Sequence, residues 1–154
     1  GCNHRCKNCQ NPQTWDVNSG IEFDMNANDE LFAELEKDYI SGITFSGGDP
    51  LHENNLDKVL ALVELIRILY PTKTIWLYTG YTLEALEDDD IDVKRLLYLN
   101  TIFENIDYIV EGPYIDKLRD ITLPFRGSSN QRIFQVSKTP CHEFKFKQVL
   151  NECS

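Results

Sequence analysis

The chain is predicted to form one α/β domain organised around a parallel sheet. Short runs rich in β-branched and aromatic residues alternate with segments whose apolar residues recur at helical spacing, which is the pattern of βαβ units. Its 154 residues, 42% hydrophobic and 26% charged, have an ordinary composition for one domain of roughly 100 to 200 residues. No internal repeat, low-complexity tract or linker divides residues 1–154, so they read as a single domain.

The elements follow in order. Asp24 is placed to cap a helix over residues 27–40, with Leu31, Phe32, Leu35 and Tyr39 on one face. Residues 42–46 read as a buried strand that ends in Gly47-Gly48-Asp49-Pro50. Leu56, Val59, Leu60, Val63, Ile66 and Leu69 then recur at helical spacing, and Pro71 fits a helix ending near Tyr70. Residues 74–79 form the next predicted strand, closed by Gly80. Thr82 can cap a short helix running into the acidic cluster 87–90, and residues 91–100 read as helical. A third strand is expected over 106–110. Past Gly112-Pro113 the periodicity weakens, with 132–136 as a last strand and 137–154 as an unassigned C-terminal tail.

Charge and hydropathy exclude several function classes. The formal charge of −10 opposes binding to nucleic acid or to an anionic membrane. It is divided unevenly, −14 over residues 1–116 and +4 over 117–154, so the basic end can meet an anionic ligand or partner. The longest apolar stretch, around 59–70, is broken by Glu64 and Arg67 and falls short of the roughly 20 residues of a membrane span. The five cysteines are an odd number and do not look like a disulfide framework. No secretory signal pattern opens the chain, so a reducing cytoplasm is the expected location. The sequence starts at Gly1 rather than Met, and a preceding segment that supplies a first strand is expected.

The most informative stretch is Gly1-Cys2-Asn3-His4-Arg5-Cys6-Lys7-Asn8-Cys9, a C-x3-C-x2-C loop. Thiolates at these offsets can converge on one metal centre. Three ligands are one short, which suits a [4Fe–4S] cluster with one iron open to an external ligand. It also suits zinc, with His4 or a distant residue in the fourth position. Ser46-Gly47-Gly48-Asp49-Pro50 follows a predicted strand, where glycines allow positive φ and close approach to backbone groups. A tight structural turn would look the same. Neither G-x-x-x-x-G-K-[ST] nor G-x-G-x-x-G occurs, so the familiar nucleotide loops are unsupported.

Together the two motifs resemble the radical S-adenosylmethionine (SAM) superfamily, in which C-x3-C-x2-C follows the first strand and a Gly-Gly-acid motif ends the second. Asn11-Pro12, Thr14-Trp15, Trp76-Leu77-Tyr78-Thr79-Gly80-Tyr81 and Arg126-Gly127-Ser128-Ser129-Asn130-Gln131-Arg132 narrow the likeness. Within the superfamily the chain is similar to the activating proteins of anaerobic (class III) ribonucleoside-triphosphate reductase, from Gly1 to about Val136. The resemblance implies a partial, TIM-like barrel of the radical SAM type. It implies that Cys2, Cys6 and Cys9 hold three irons while SAM chelates the fourth. Asn8 and Gln10 would lie against SAM, Gly48 would help hold its methionyl end with Gly47 beside it in the cofactor site, Asp49 would receive its ammonium or cap the next turn, and Thr79 would face it from a strand end. Asn3, His4, Arg5 and Asn8 are near enough in sequence to donate to cluster sulfurs. One electron from the cluster would release a 5′-deoxyadenosyl radical, which would take hydrogen from the Cα of one glycine in the reductase. A low-potential donor such as flavodoxin would supply the electron.

Asn8 stands where many radical SAM proteins carry an aromatic residue, which leaves contact with adenine there to the backbone. Cys141-His142 and Cys153 read as ordinary tail residues. Two other functions share part of this pattern. One is a radical SAM enzyme acting on a small molecule, such as a deazaguanine synthase. The other is a zinc-stabilised binding module without catalysis.

Overall fold

A computed structural model describes residues 1–87, 92–138 and 144–149. Five strands form one sheet in the order β1-β2-β3-β4-β5. Strands β1 (Gly42–Phe45), β2 (Thr74–Tyr78) and β3 (Tyr108–Glu111) run parallel. Ile43 pairs with Ile75 and Trp76 with Tyr108. Strands β4 (Arg132–Lys138) and β5 (Phe144–Gln148) continue the sheet antiparallel, with Ile109 opposite Phe134 and Val136 opposite Phe146.

Helices fill the two crossovers between the parallel strands, and one more precedes β1. α1 (Met25–Leu35) starts at Asp24, whose side chain accepts a hydrogen bond from Ala27 N as the sequence predicts. α2 (Glu53–Leu69) carries Leu56, Val59, Val63 and Ile66 into the core, and α4 (Val93–Asn105) carries Leu99, Ile102 and Phe103. These pack against Ile75, Leu77 and Ile109, all fully buried on one face of the sheet. Burial of each such side chain contributes about 1.5–3 kcal/mol. The short α3 (Leu83–Leu86) is capped by Thr82, again as predicted. Among the described residues no helix is long and apolar enough to cross a membrane.

The structure departs from the sequence reading in several places, and the helix expected over 91–100 spans Val93–Asn105. α1 stops at Leu35 instead of continuing to residue 40, because the Lys73 amine reaches across to the backbone carbonyls of Lys37 and Ile40 and fixes a turn there. Tyr39, expected on the apolar face, is 78% exposed. The strand at 132–138 is antiparallel, since the 112–131 connection contains only the 3-10 turn Asp116–Leu118 and no crossover helix to return the chain to the starting edge. Residues 144–148, in the tail left unassigned from the sequence, form β5, and Phe144 and Phe146 pack edge-on against Phe103. The sheet is an open mixed sheet that does not close into a barrel. Residues 88–91, Cys141, His142 and Cys153 lie outside the described residues.

Candidate functional site

The cysteine loop sits over the carboxyl ends of β1 and β2. Cys2 N donates to Trp15 O at 3.2 Å and Cys9 N to Cys6 O at 3.1 Å, which closes the loop on itself. Arg5 and Asn8 take left-handed φ values of 45° and 57°, a conformation costing roughly 1–2 kcal/mol per residue outside glycine. Their neighbours are the second and third cysteines, so the reversals turn the chain where the thiols are presented. Cys2, Cys6 and Cys9 are free thiols and each is half-buried.

Two attachments hold this loop to the turn after β1. The Gly1 carbonyl accepts hydrogen bonds from Asp49 N at 2.9 Å and Asn55 Nδ2 at 3.2 Å. Gly48 permits that approach, since a Cβ at this position would lie 2.7 Å from Gly1 O. The second attachment is made by the His4 ring, whose Nε2 lies 2.7 Å from Asp49 Oδ2. His4 also packs edge-on against Tyr81, with ring centroids 4.6 Å apart, and any side chain at Gly80 would overlap its ring.

Asp49 is the centre of this arrangement. It is 2% exposed, and its carboxylate accepts from Leu51 N at 2.9 Å, Thr79 Oγ1 at 2.9 Å, Gly80 N at 2.8 Å and His4. Burial alone would push its pKa up, but these hydrogen bonds, that of His4 foremost, together with the His4 charge hold it below the ordinary 3.8. Burial pushes the Cys2 thiol up, with the Asp49 and Cys6 charges adding to that and the His4 and Arg5 backbone amides opposing it. A metal must therefore displace a proton from Cys2.

The expected site residues divide into two sets. Cys2, Cys6 and Cys9 share one loop, which Gly1 and His4 join to Gly48 and Asp49. Asp49 and the buried Thr79 spend their polar atoms on the protein itself, with Thr79 Oγ1 accepting from Tyr81 N at 3.2 Å. Both side chains thus brace the loop, and the Asp49 bond to Leu51 N caps the turn that follows it. Space beside Gly48 is filled by Gly1, whereas Gly47, at φ 113°, has open space where a Cβ would stand. Gln10 is exposed. Asn8 Nδ2 donates to Asp116 Oδ2 at 3.0 Å, and His4 Nε2 is turned to Asp49, so neither group is aimed at sulfur. The sequence reading missed Asn55, Asp116 and the His4–Asp49 pair, because partners so distant along the chain carry no spacing signal. A cavity of about 1050 Å³ adjoins the loop, walled by Gly1, Thr14, Phe23, Ser46, Gly48 and Leu62 among others, but the three cysteines lie outside it.

A model of the 4Fe-4S single cluster domain matches residues 1–134. The anaerobic ribonucleoside-triphosphate reductase-activating protein of Vibrio cholerae is 39% identical over 139 residues, covering 89% of this chain and 84% of that protein. Its Escherichia coli K12 counterpart is 41% identical over 138 residues, covering 88% and 84%. The phage T4 counterpart is 40% identical over 134 residues, covering 87% and 78%. The chain belongs to the family of anaerobic ribonucleoside-triphosphate reductase-activating proteins. No solved structure matches it.

The donor set fits the cluster that the family model describes. Three free thiols come from a single loop, and its attachments to Asp49 and Asn55 leave all three partly open to solvent. The thiols share the loop without meeting at one point: among the described residues no three His, Cys, Asp or Glu side chains form a metal-holding group.

Proposed function

We propose that this protein is a radical SAM activase that installs the glycyl radical of an anaerobic ribonucleoside-triphosphate reductase. The observation that carries the reading is the C-x3-C-x2-C loop with three free thiols, seated by Gly1, His4 and Asp49 on the ends of parallel strands. Cys2, Cys6 and Cys9 hold three irons of a [4Fe–4S] cluster. When bound there, the cluster would supply the single electron for cleavage of the SAM sulfonium.

The residues around the loop bind and orient. Gly47, open on its outer side, and the exposed Gln10 offer backbone and side-chain groups to SAM, as does the backbone at Asn8. Gly48, Asp49 and Thr79 support this region from below. The same reading places the parallel strands in a partial TIM-like barrel, with the free edge of β1 able to pair with one more strand. A cytoplasmic location and a low-potential donor of the flavodoxin type complete it.

Anaerobic reconstitution tests the proposal. The parent should take up about four irons, and Cys2→Ser, Cys6→Ser or Cys9→Ser should each lose the cluster and SAM cleavage, while Cys141→Ser retains both. Mixed with the reductase and SAM, the parent should give an oxygen-sensitive glycyl radical by electron paramagnetic resonance, absent when the target glycine is alanine. One colourless zinc per chain would replace the activase with a binding module. Turnover of a small molecule without a radical on the reductase would replace it with another radical SAM enzyme.

A further inference from the structure

The connection between β3 and β4, residues 112–131, touches the cysteine loop through the Asn8–Asp116 bond and is braced by hydrogen bonds of its own. Its base is fastened by Ser128, which is fully buried and whose hydroxyl accepts from Ile115 N at 3.2 Å. Arg119 and Ser128 pair as an antiparallel bridge, and Ser129 N donates to Leu118 O at 2.9 Å. The Gln131 side chain accepts from Gly127 N at 2.9 Å and donates to Gly112 O at 3.1 Å. This braced lobe nevertheless displays large apolar side chains. Ile121 is 82% exposed and Phe125 64%, with Leu118 and Ile115 beside them at 41% and 39%.

Phe125 has a φ of 56°, a left-handed conformation that a bulky side chain seldom adopts. The fold maintains it: Tyr78 OH donates to Phe125 O at 2.8 Å, and the ring rests on Trp76 at 5.1 Å between centroids. Trp76 in turn stacks on Tyr108 at 4.3 Å. Backbone strain of this kind persists only where surroundings enforce it, and it gathers at functional positions. Here it presents an aromatic ring to solvent.

Charge and position indicate what covers the ring. Lys117 and Arg119 stand exposed beside the apolar tip. Of the lobe's carboxylates, Asp116 is turned to Asn8 and Tyr114, and Asp120 to Thr122. The outward charge is therefore basic on a chain whose residues 1–116 sum to −14, so an acidic surface is attracted here and repelled elsewhere. The Asn8–Asp116 bond places the lobe beside the last cysteine of the loop. A braced, basic and apolar patch at the edge of a reaction site matches the anatomy of a protein interface.

We infer that the 112–131 lobe is the docking surface for the reductase, meeting an acidic surface next to its target glycine with an apolar pocket that takes the Phe125 ring. The inference rests on the activase reading. An aromatic anchor of this kind is expected to carry a disproportionate share of the affinity.

Anaerobic calorimetry of reconstituted protein with purified reductase tests it. Phe125→Gly removes the ring while suiting the left-handed backbone, so iron content and the unfolding midpoint should stay at or above parental values. Its affinity for the reductase should fall about tenfold or more. Lys117→Glu with Arg119→Glu should weaken binding by a similar factor at low salt and much less at high salt. Parental affinity in both variants overturns the docking assignment while leaving the activase standing. Self-association of the parent that Phe125→Gly abolishes, with reductase binding intact, gives the face to a second copy and also overturns it. A parent that neither binds the reductase nor forms its radical removes the activase reading and the docking surface with it.

Discussion

Adding one methyl group at position 48 tests whether the glycine loop serves the cysteine loop or a ligand. An alanine Cβ there would stand 2.7 Å from the Gly1 carbonyl oxygen and 3.3 Å from its carbon, against the roughly 3.5–4.0 Å of a relaxed carbon contact. Gly1 cannot simply retreat, because its oxygen is held by Asp49 N at 2.9 Å and Asn55 Nδ2 at 3.2 Å. Overpacking of this kind costs about 1–3 kcal/mol, and weakening the two hydrogen bonds adds about 1 kcal/mol. For a chain of this size each kcal/mol lowers Tm by about 2–4 °C, so Gly48→Ala should melt about 5–15 °C below the parent. The measurement is thermal unfolding of the metal-free protein without SAM. Gly20→Ala, where the Cβ meets nothing within 4 Å, is the control and should leave the midpoint unchanged. The reasoning fails if Gly48→Ala melts with the parent in the metal-free state and loses only SAM affinity, since the glycine would then make room for a ligand.

Further outcomes follow from the other buried charges. Glu111 is 1% exposed and paired with Arg132, which also grips Glu84. Arg132→Met strands that carboxylate, and urea unfolding should show a loss of about 3–5 kcal/mol; a loss below 1 kcal/mol would mean that water reaches Glu111. The folded state holds Asp49 below its ordinary 3.8. Its contribution to stability is therefore present above that pH and is lost as the pH falls through the depressed folded value. Melting midpoints of the parent should fall with acid below pH 3.8, and Asp49→Asn, less stable at neutral pH, should show a flatter acid limb. Parallel acid limbs for the two proteins would sink this assignment.

Much of the fold was legible because the parallel strands read as short runs of β-branched and aromatic residues between segments of helical period. The caps at Asp24 and Thr82 form the side-chain bonds that their positions suggest. What the sequence reading missed depended on contacts from outside the segment. Tyr39 has the right period for the apolar face of α1, yet the Lys73 amine arrives from beyond α2 and ends the helix path first. The alternation Phe144-Lys145-Phe146-Lys147 is a readable period-two signal, but its short length and lysines, suited to an edge strand, make it resemble a charged tail. At the site, a glycine pair after a strand announces close approach without naming what approaches. That Gly1 fills the space beside Gly48, and that the acid after it meets the His4 ring, are three-dimensional facts with no local trace.

The seat of the cysteine loop is assembled from distant parts of the chain. His4 and Asp49 are 45 residues apart and Asp49 and Thr79 a further 30, so the seat is absent from an unfolded chain. Small zinc modules fold around their ion. Here the loop rests on groups that only the assembled sheet brings together, so the expected order is polypeptide first and iron and sulfide second. In that order the fold supplies the seat and the cluster does not have to create it, the reverse of the zinc modules.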